Sequence, residues 1–101
     1  MILILTTTDK ITVAKKITKA LLGQKLIACA SIIPMHSSYW WHKKIVNAKE
    51  YQLILKTEAS NYKKIEKEIK KLHTYDLPEI ISINIQKAGK DYLTWIHKEL
   101  G

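Results

Sequence analysis

Arginine and phenylalanine are absent from the chain, and 101 residues include one cysteine, two prolines and three glycines. Each scarcity excludes something. Without arginine there is no planar guanidinium fork, the group that most often clamps phosphate or reads guanine through two hydrogen bonds. Three glycines leave no Gly-rich loop to cradle a nucleotide. A lone cysteine, Cys29, forms no intrachain disulfide, which suits a reducing, cytosolic setting. No apolar run approaches the roughly 20 residues of a membrane-crossing helix. The opening Met1–Leu5 is too short for a signal peptide and carries no basic flank.

Lysine is abundant: 17 lysines face nine carboxylates, for a formal charge of +8. They spread along the outer faces of two predicted helices (Lys15, Lys16 and Lys19, then Lys63, Lys64, Lys67, Lys70 and Lys71). That is the pattern of a solvated surface rather than of a groove for nucleic acid, so neither nucleic acid nor membrane is expected as a partner. Three tryptophans and five tyrosines are more than one thin core of this size takes in. Association of subunits is expected to cover the excess.

A single domain, 1–101, is expected from the length. Ile2–Thr7 reads as a buried strand. Thr8 or Asp9 can cap a helix with Ile11, Ala14, Ile17 and Leu21 on one face, ended by Gly23 in a left-handed turn. Leu26–Ile33 is strand-like, with Pro34 breaking or bending it at an edge. Ser38–Trp41 reads as extended, 43–49 as a polar loop, and 51–56 as an alternating strand. Ser60 is placed to cap a second helix, lined inside by Tyr62, Ile65, Ile69 and Leu72, with Glu66 and Lys70 paired outside. A strand over 79–87 is predicted to turn Ile81, Ile83 and Ile85 inward. A last helix, 91–100, gathers Tyr92, Trp95 and Ile96 on one side. The order defines an α+β class: a ferredoxin-like βαββαβ sandwich with an extended central hairpin and a C-terminal helix. Both inner helices should cover one sheet face. The other face, with Ile27, Ile33, Ile54 and the hairpin's Trp40 and Trp41, is too apolar to stay wet.

Several ordered segments carry a resemblance: 26–34 (LIACASIIP), Ser38-Tyr39-Trp40-Trp41, Glu50, Leu55-Lys56-Thr57, 73–80 (HTYDLPEI) and Tyr92-Leu93-Thr94-Trp95-Ile96. Taken in order, they resemble the CutA family, the divalent-cation tolerance proteins, over nearly the whole chain. The resemblance implies a ferredoxin-like protomer closed into a homotrimer like the PII signalling proteins. It also implies a cytoplasmic role linked to copper and other divalent metals. In one bacterial branch copper is associated with a cysteine late in the first strand and with two adjacent histidines before the junction tyrosine. Here those positions are Thr6, Leu72 and His73, so His73 alone carries over.

The candidate metal ligands are therefore His73, Cys29 and Glu79. His73 can bind through one ring nitrogen while Glu79 or Asp76 holds the other. Cys29 joins only where packing of subunits brings polar groups to it. Tyr39, Trp41, Glu50, Lys56 and Tyr75 form a second set, lining a cleft or an interface between subunits. Lys56 either meets an anionic ligand or neutralises Glu79 or Glu50. His36, His42 and His97 read as solvated surface histidines. No serine, histidine and carboxylate grouping stands out, and the arginine on which ferredoxin-like acyl-phosphate hydrolases rely is missing, so catalysis is not expected. The function expected is a non-catalytic, trimeric response to divalent metal ions. The alternative is a PII-like trimer that binds a small ligand or anion.

Overall fold

In the computed structural model, which describes residues 1–101, the chain runs through β1 (Ile2–Thr8), α1 (Ile11–Gly23), β2 (Cys29–Trp41), β3 (Lys44–Thr57), α2 (Tyr62–Leu72), β4 (Ile80–Asn84) and α3 (Lys90–Leu100). The four strands form one sheet in the order β2-β3-β1-β4, antiparallel throughout. This is the βαββαβ order with a third helix appended.

Period-two alternation divides the sheet into two faces. On the first face Ile2 and Ile4 of β1 meet Leu53 and Leu55 of β3. Val13, Ala14, Ile17 and Leu21 of α1 close over them with Ile65 and Ile69 of α2, all buried. Ile27 belongs to this core at 2% exposure, not to the opposite face as its sequence position suggested. On the second face lie Leu3, Leu5, Ile33, Ile54, Ile81 and Ile83. The assignment follows from register, which pairs Leu5 with Ile54 and Ile81. Ile33, Ile81 and Ile83 are 44–48% exposed. The inward reading of Ile81 and Ile83 is therefore reversed. Ile80 is the β4 residue that packs on the helix-covered core.

Three local expectations also change. First, 44–49 is strand, not loop: β2 and β3 pair without a break from Cys29↔Lys56 to Trp41↔Lys44. His42 and Lys43 alone make the turn, at φ 50° and 63°. Two successive left-handed residues match the twist of a tight hairpin, but glycine or asparagine normally marks them, and neither is present. Second, Pro34 does not interrupt β2, because β2 is the edge strand and the missing N–H faces no neighbour. Third, the left-handed residue after α1 is Lys25 (φ 56°), not Gly23. Neither proposed side-chain cap forms as expected: α1 is entered through Lys10 and α2 through Asn61 after a 3-10 turn at Ala59–Asn61. Glu66 accepts a hydrogen bond from the Tyr62 hydroxyl (3.2 Å), and Lys70 is not its partner.

β1 ends at Thr8, opposite Tyr51. Beyond that pair, Met35↔Glu50 to Trp41↔Lys44 continue as a two-stranded arm with no third strand. Seven pairs at about 3.3 Å per residue carry the arm roughly 20 Å past the sheet. α3 sits at the opposite end. His97 Nε2 lies 2.6 Å from Glu58 Oε1, and the Met1 ammonium is 3.4 Å from Glu58 Oε2. His97 is 56% exposed, the surface histidine expected, and its contact with Glu58 also ties α3 to the end of β3.

Candidate functional site

Where the arm leaves the sheet, the segment joining α2 to β4 folds beside it. Between them opens a cleft of about 610 Å³. One wall is a period-two series from the uncovered face: Thr7, Met35, Ser37, Tyr39, Trp41 and Glu50. Tyr75, Asp76, Leu77 and Glu79 supply the other wall, and Trp40 borders the rim. Five residues singled out in sequence meet here: Tyr39, Trp41, Glu50, Tyr75 and Glu79.

Glu50 is the unusual member. It is 6% exposed, yet no lysine or histidine pairs with it. Its Oε2 accepts a hydrogen bond of 2.7 Å from the Tyr75 hydroxyl. Its other carboxylate oxygen accepts none. Burial, reinforced by this bond and by the negative charge of Glu50, raises the Tyr75 phenol far above its ordinary value. Glu79 takes a 3.3 Å hydrogen bond from Gln52 Nε2.

Behind Tyr75, His73 closes α2 and ties it to β1. The Tyr75 backbone N–H donates to His73 Nδ1 at 3.0 Å. Nδ1 is thus the acceptor nitrogen, and the proton resides on Nε2, which donates to the Thr7 carbonyl at 2.6 Å. The two rings pack at 4.7 Å between centroids. Both nitrogens are consumed by the fold.

Lys56 is at the far end of the same face and neutralises neither Glu50 nor Glu79. Its Nζ donates to the Tyr92 hydroxyl at 3.1 Å and lies 5.2 Å from the centre of that ring. This hydrogen bond, helped by the charges of Cys29 and Tyr92, raises the Lys56 pKa against the opposing effect of burial. Cys29 Sγ is 3.8 Å from the same hydroxyl and only half-buried. Tyr92, read in sequence as part of an apolar stripe, is the polar hub here. Its only signal was a helix position facing β3.

The three candidate metal ligands do not converge. Cys29 pairs with Lys56, whereas Glu79 bonds Gln52, four residues away on β3. Four strand residues separate those points by about 13 Å. No three histidine, cysteine or carboxylate side chains group into a metal-holding set. Copper does not fit the residues at the positions the resemblance indicates. Thr6 is fully buried, with a hydroxyl that has no hydrogen-bond partner, Leu72 is apolar, and His73 has no free nitrogen. Replacing His73 by alanine should cost about 1 kcal/mol of stability for the lost junction hydrogen bonds. It should leave copper affinity unchanged, as calorimetric titration would report.

A ferredoxin-like sandwich with a projecting hairpin, an uncovered apolar face and a cleft beneath the arm defines the PII-like class of α+β proteins. The family model for the CutA1 divalent ion tolerance protein matches residues 2–99, and the chain belongs to that family. The divalent-cation tolerance protein CutA of Pyrococcus horikoshii is 40% identical over 99 residues, covering 98% of this chain and 97% of the relative. That of Thermotoga maritima is 33% identical over 99% of both chains. Among solved structures, P. horikoshii CutA1 superposes with a TM-score of 0.93 at 39% identity, over 98% of this chain and 97% of the other. The Archaeoglobus fulgidus protein, described as a periplasmic divalent cation tolerance protein, reaches 0.96 at 35% identity over the whole of both chains. A PII-like CutA from Nostoc, 24% identical, shares the fold (TM-score 0.91, 100% of this chain and 98% of the other).

Proposed function

We propose that this chain works as a cytoplasmic, non-catalytic homotrimer in the response to divalent metal ions. The observation that carries the trimer is the uncovered sheet face. Ile33, Ile81 and Ile83 stand nearly half-exposed beside Leu3, Leu5 and Ile54, and the arm extends that face with Tyr39 and Trp41, 39% and 43% exposed, while Trp40 and Ile45 lie exposed on its other side. A contiguous apolar surface of that extent marks an association site. The family supports the link to divalent cations. The lone cysteine supports a reducing compartment, and no helix is long and apolar enough to cross a membrane. Copper, which the resemblance implies, finds no complete ligand set in one chain, so the metal response is proposed to run through weak or shared ligation. Sedimentation at micromolar concentration should give about three times 11.7 kDa. A folded single chain would overturn the trimer.

A second reading, the PII-like small-ligand trimer, is favoured by the cleft beneath the arm. The anion once placed at Lys56 has less support, since that ammonium is already bonded to Tyr92. Melting temperatures measured with metal salts and with small organic ions separate the readings, because only a bound species raises the transition.

A further inference from the structure

We propose that the outer face of the helix layer, formed by α1 and α2 together, is a docking surface for inorganic polyphosphate, a flexible chain of phosphates without bases or lipid. Each helix alone carries an ordinary solvated lysine face. The fold sets both on the same side of the sheet, with Ile17 and Leu21 of α1 and Ile65 and Ile69 of α2 buried in one core. Their outer faces therefore form one surface. All eight lysines of the two helices are exposed on it, three from α1 and five from α2. The only carboxylates of these helices, Glu66 and Glu68, are half-buried, and Glu66 is engaged by the Tyr62 hydroxyl. The layer thus holds six of the chain's eight net positive charges.

The fold neutralises none of this charge. Both ion pairs of the chain are made by Glu58, with the Met1 ammonium and with His97, and no lysine takes part in either. On α2, Lys63 and Lys67, then Lys67 and Lys71, stand four positions apart and repel one another. A surface that holds like charges side by side, with no counter-charge from its own chain, is complementary to a polyanion. Its other features select which one. Single-stranded nucleic acid is held by rings stacked on its bases, and base edges are read most often by guanidinium forks. Arginine is absent, and the only ring on these helices, Tyr62, is half-buried and bonded to Glu66. Lasting attachment to an anionic bilayer needs an apolar anchor beside the basic patch. Of the large apolar side chains on α1 and α2, only Leu22 is exposed, at the end of α1. Phosphates alone remain, and lysine meets them as a point charge without demanding a fixed geometry. The helices extend about 16 and 20 Å, room for several consecutive phosphates of an extended chain. The layer lies on the side of the sheet opposite the uncovered face, so it stays open when copies associate through that face.

The test is titration of the assembled protein with inorganic polyphosphate, compared at matched phosphate concentration with monophosphate, poly(U) RNA and phosphatidylserine vesicles. Binding is read by calorimetry, and for the vesicles by co-sedimentation. Polyphosphate should bind saturably and more tightly per phosphate than the RNA, with no binding of monophosphate or vesicles. Raising the salt from about 50 to about 200 mM should weaken it roughly tenfold or more, as expected when three or four lysine–phosphate contacts displace counterions. Lys67→Gln with Lys71→Gln, on the outer face of α2, should lose about tenfold. Lys87→Gln with Lys98→Gln removes the same charge from exposed positions off the layer and should lose no more than about twofold. Circular dichroism checks the fold of each pair, and Lys15→Gln with Lys19→Gln on α1 serves in the same way should the α2 pair unfold. Equal losses from the two sites would mean attraction to net charge alone and overturn the surface. RNA or monophosphate binding as tightly per phosphate, vesicles binding where polyphosphate does not, or no binding of polyphosphate would each refute the proposal.

Discussion

Substituting lysine for both Ile81 and Ile83 should convert the assembly into folded single chains. Both side chains point from β4 onto the uncovered face and are nearly half-exposed, so the fold tolerates a charged replacement. In a trimer that buries this face, the same change places two ammonium groups per copy, six in all, in an apolar interface. Each isoleucine covered by association contributes about 1.5–3 kcal/mol at most. Each unpaired buried ammonium costs several kcal/mol more. The sum far exceeds what an interface of small subunits withstands. Sedimentation velocity at micromolar protein should report 11.7 kDa in place of about three times that mass, with the circular dichroism of the parent. Ser82→Lys is the control. Ser82 pairs with Ile4, so it points to the helix-covered side, and it is exposed. It should leave the assembly intact. A double variant that still sediments as the parent would place the contact elsewhere, on the arm or on α3.

The register behind that prediction shows what the sequence made legible. Helix periodicity located Ala14, Ile17, Leu21, Ile65 and Ile69 correctly, because amphipathic spacing has one solution once the buried stripe is known. Strand alternation located β3, and β1 read as a buried run, but β4 was given the wrong face. The run Ile80-Ile81-Ser82-Ile83 offers apolar residues to both faces, and a one-residue shift exchanges them. Only pairing with β1 decides it, and that pairing is a long-range fact. The arm was half visible. Lys44–Glu50 is polar, so it resembled a loop, yet a two-stranded ribbon wet on both sides needs no apolar run. Its turn was invisible because His42 and Lys43 adopt left-handed backbone without the residues that announce it. The site divided along similar lines. Glu50, Tyr75, Tyr39 and Trp41 were read as lining a cleft or an interface between subunits, and the fold brings them together along the cleft. Lys56 and Cys29 are drawn instead to Tyr92, a contact between residues 36 and 63 positions apart that no local pattern encodes. His73 was chosen for its ligand chemistry, but a histidine ending a helix beside a strand carbonyl has ample backbone to satisfy it.

Tyr75→Phe is expected to have the other large effect, and pH makes it diagnostic. At neutral pH the phenol donates to a carboxylate that has no other protein donor. Removing that donor leaves Glu50 buried and unsatisfied, a loss of about 1–3 kcal/mol. The alkaline side follows from the raised Tyr75 pKa, whose causes are burial first and Glu50 second. The unfolded phenol ionises near its ordinary value of about 10, whereas the folded one holds its proton to higher pH. The stabilisation is therefore complete below about pH 10 and is lost as pH climbs through the folded-state value. Lys56 and Tyr62 shift in the same direction and reinforce the decline. Denaturant unfolding at fixed protein concentration should show Tyr75→Phe weaker than the parent at pH 7 but flatter above pH 10, so the two curves approach each other. Glu50→Gln should behave differently. It removes the carboxylate charge, keeps an acceptor for the phenol, and leaves neutral stability close to that of the parent, while the alkaline decline still begins at about pH 10 but levels off sooner and is smaller. If Tyr75→Phe matches the parent at pH 7 and keeps its full alkaline slope, the Tyr75–Glu50 bond contributes nothing. Glu50 would then be hydrated through the cleft whether or not the phenol is present.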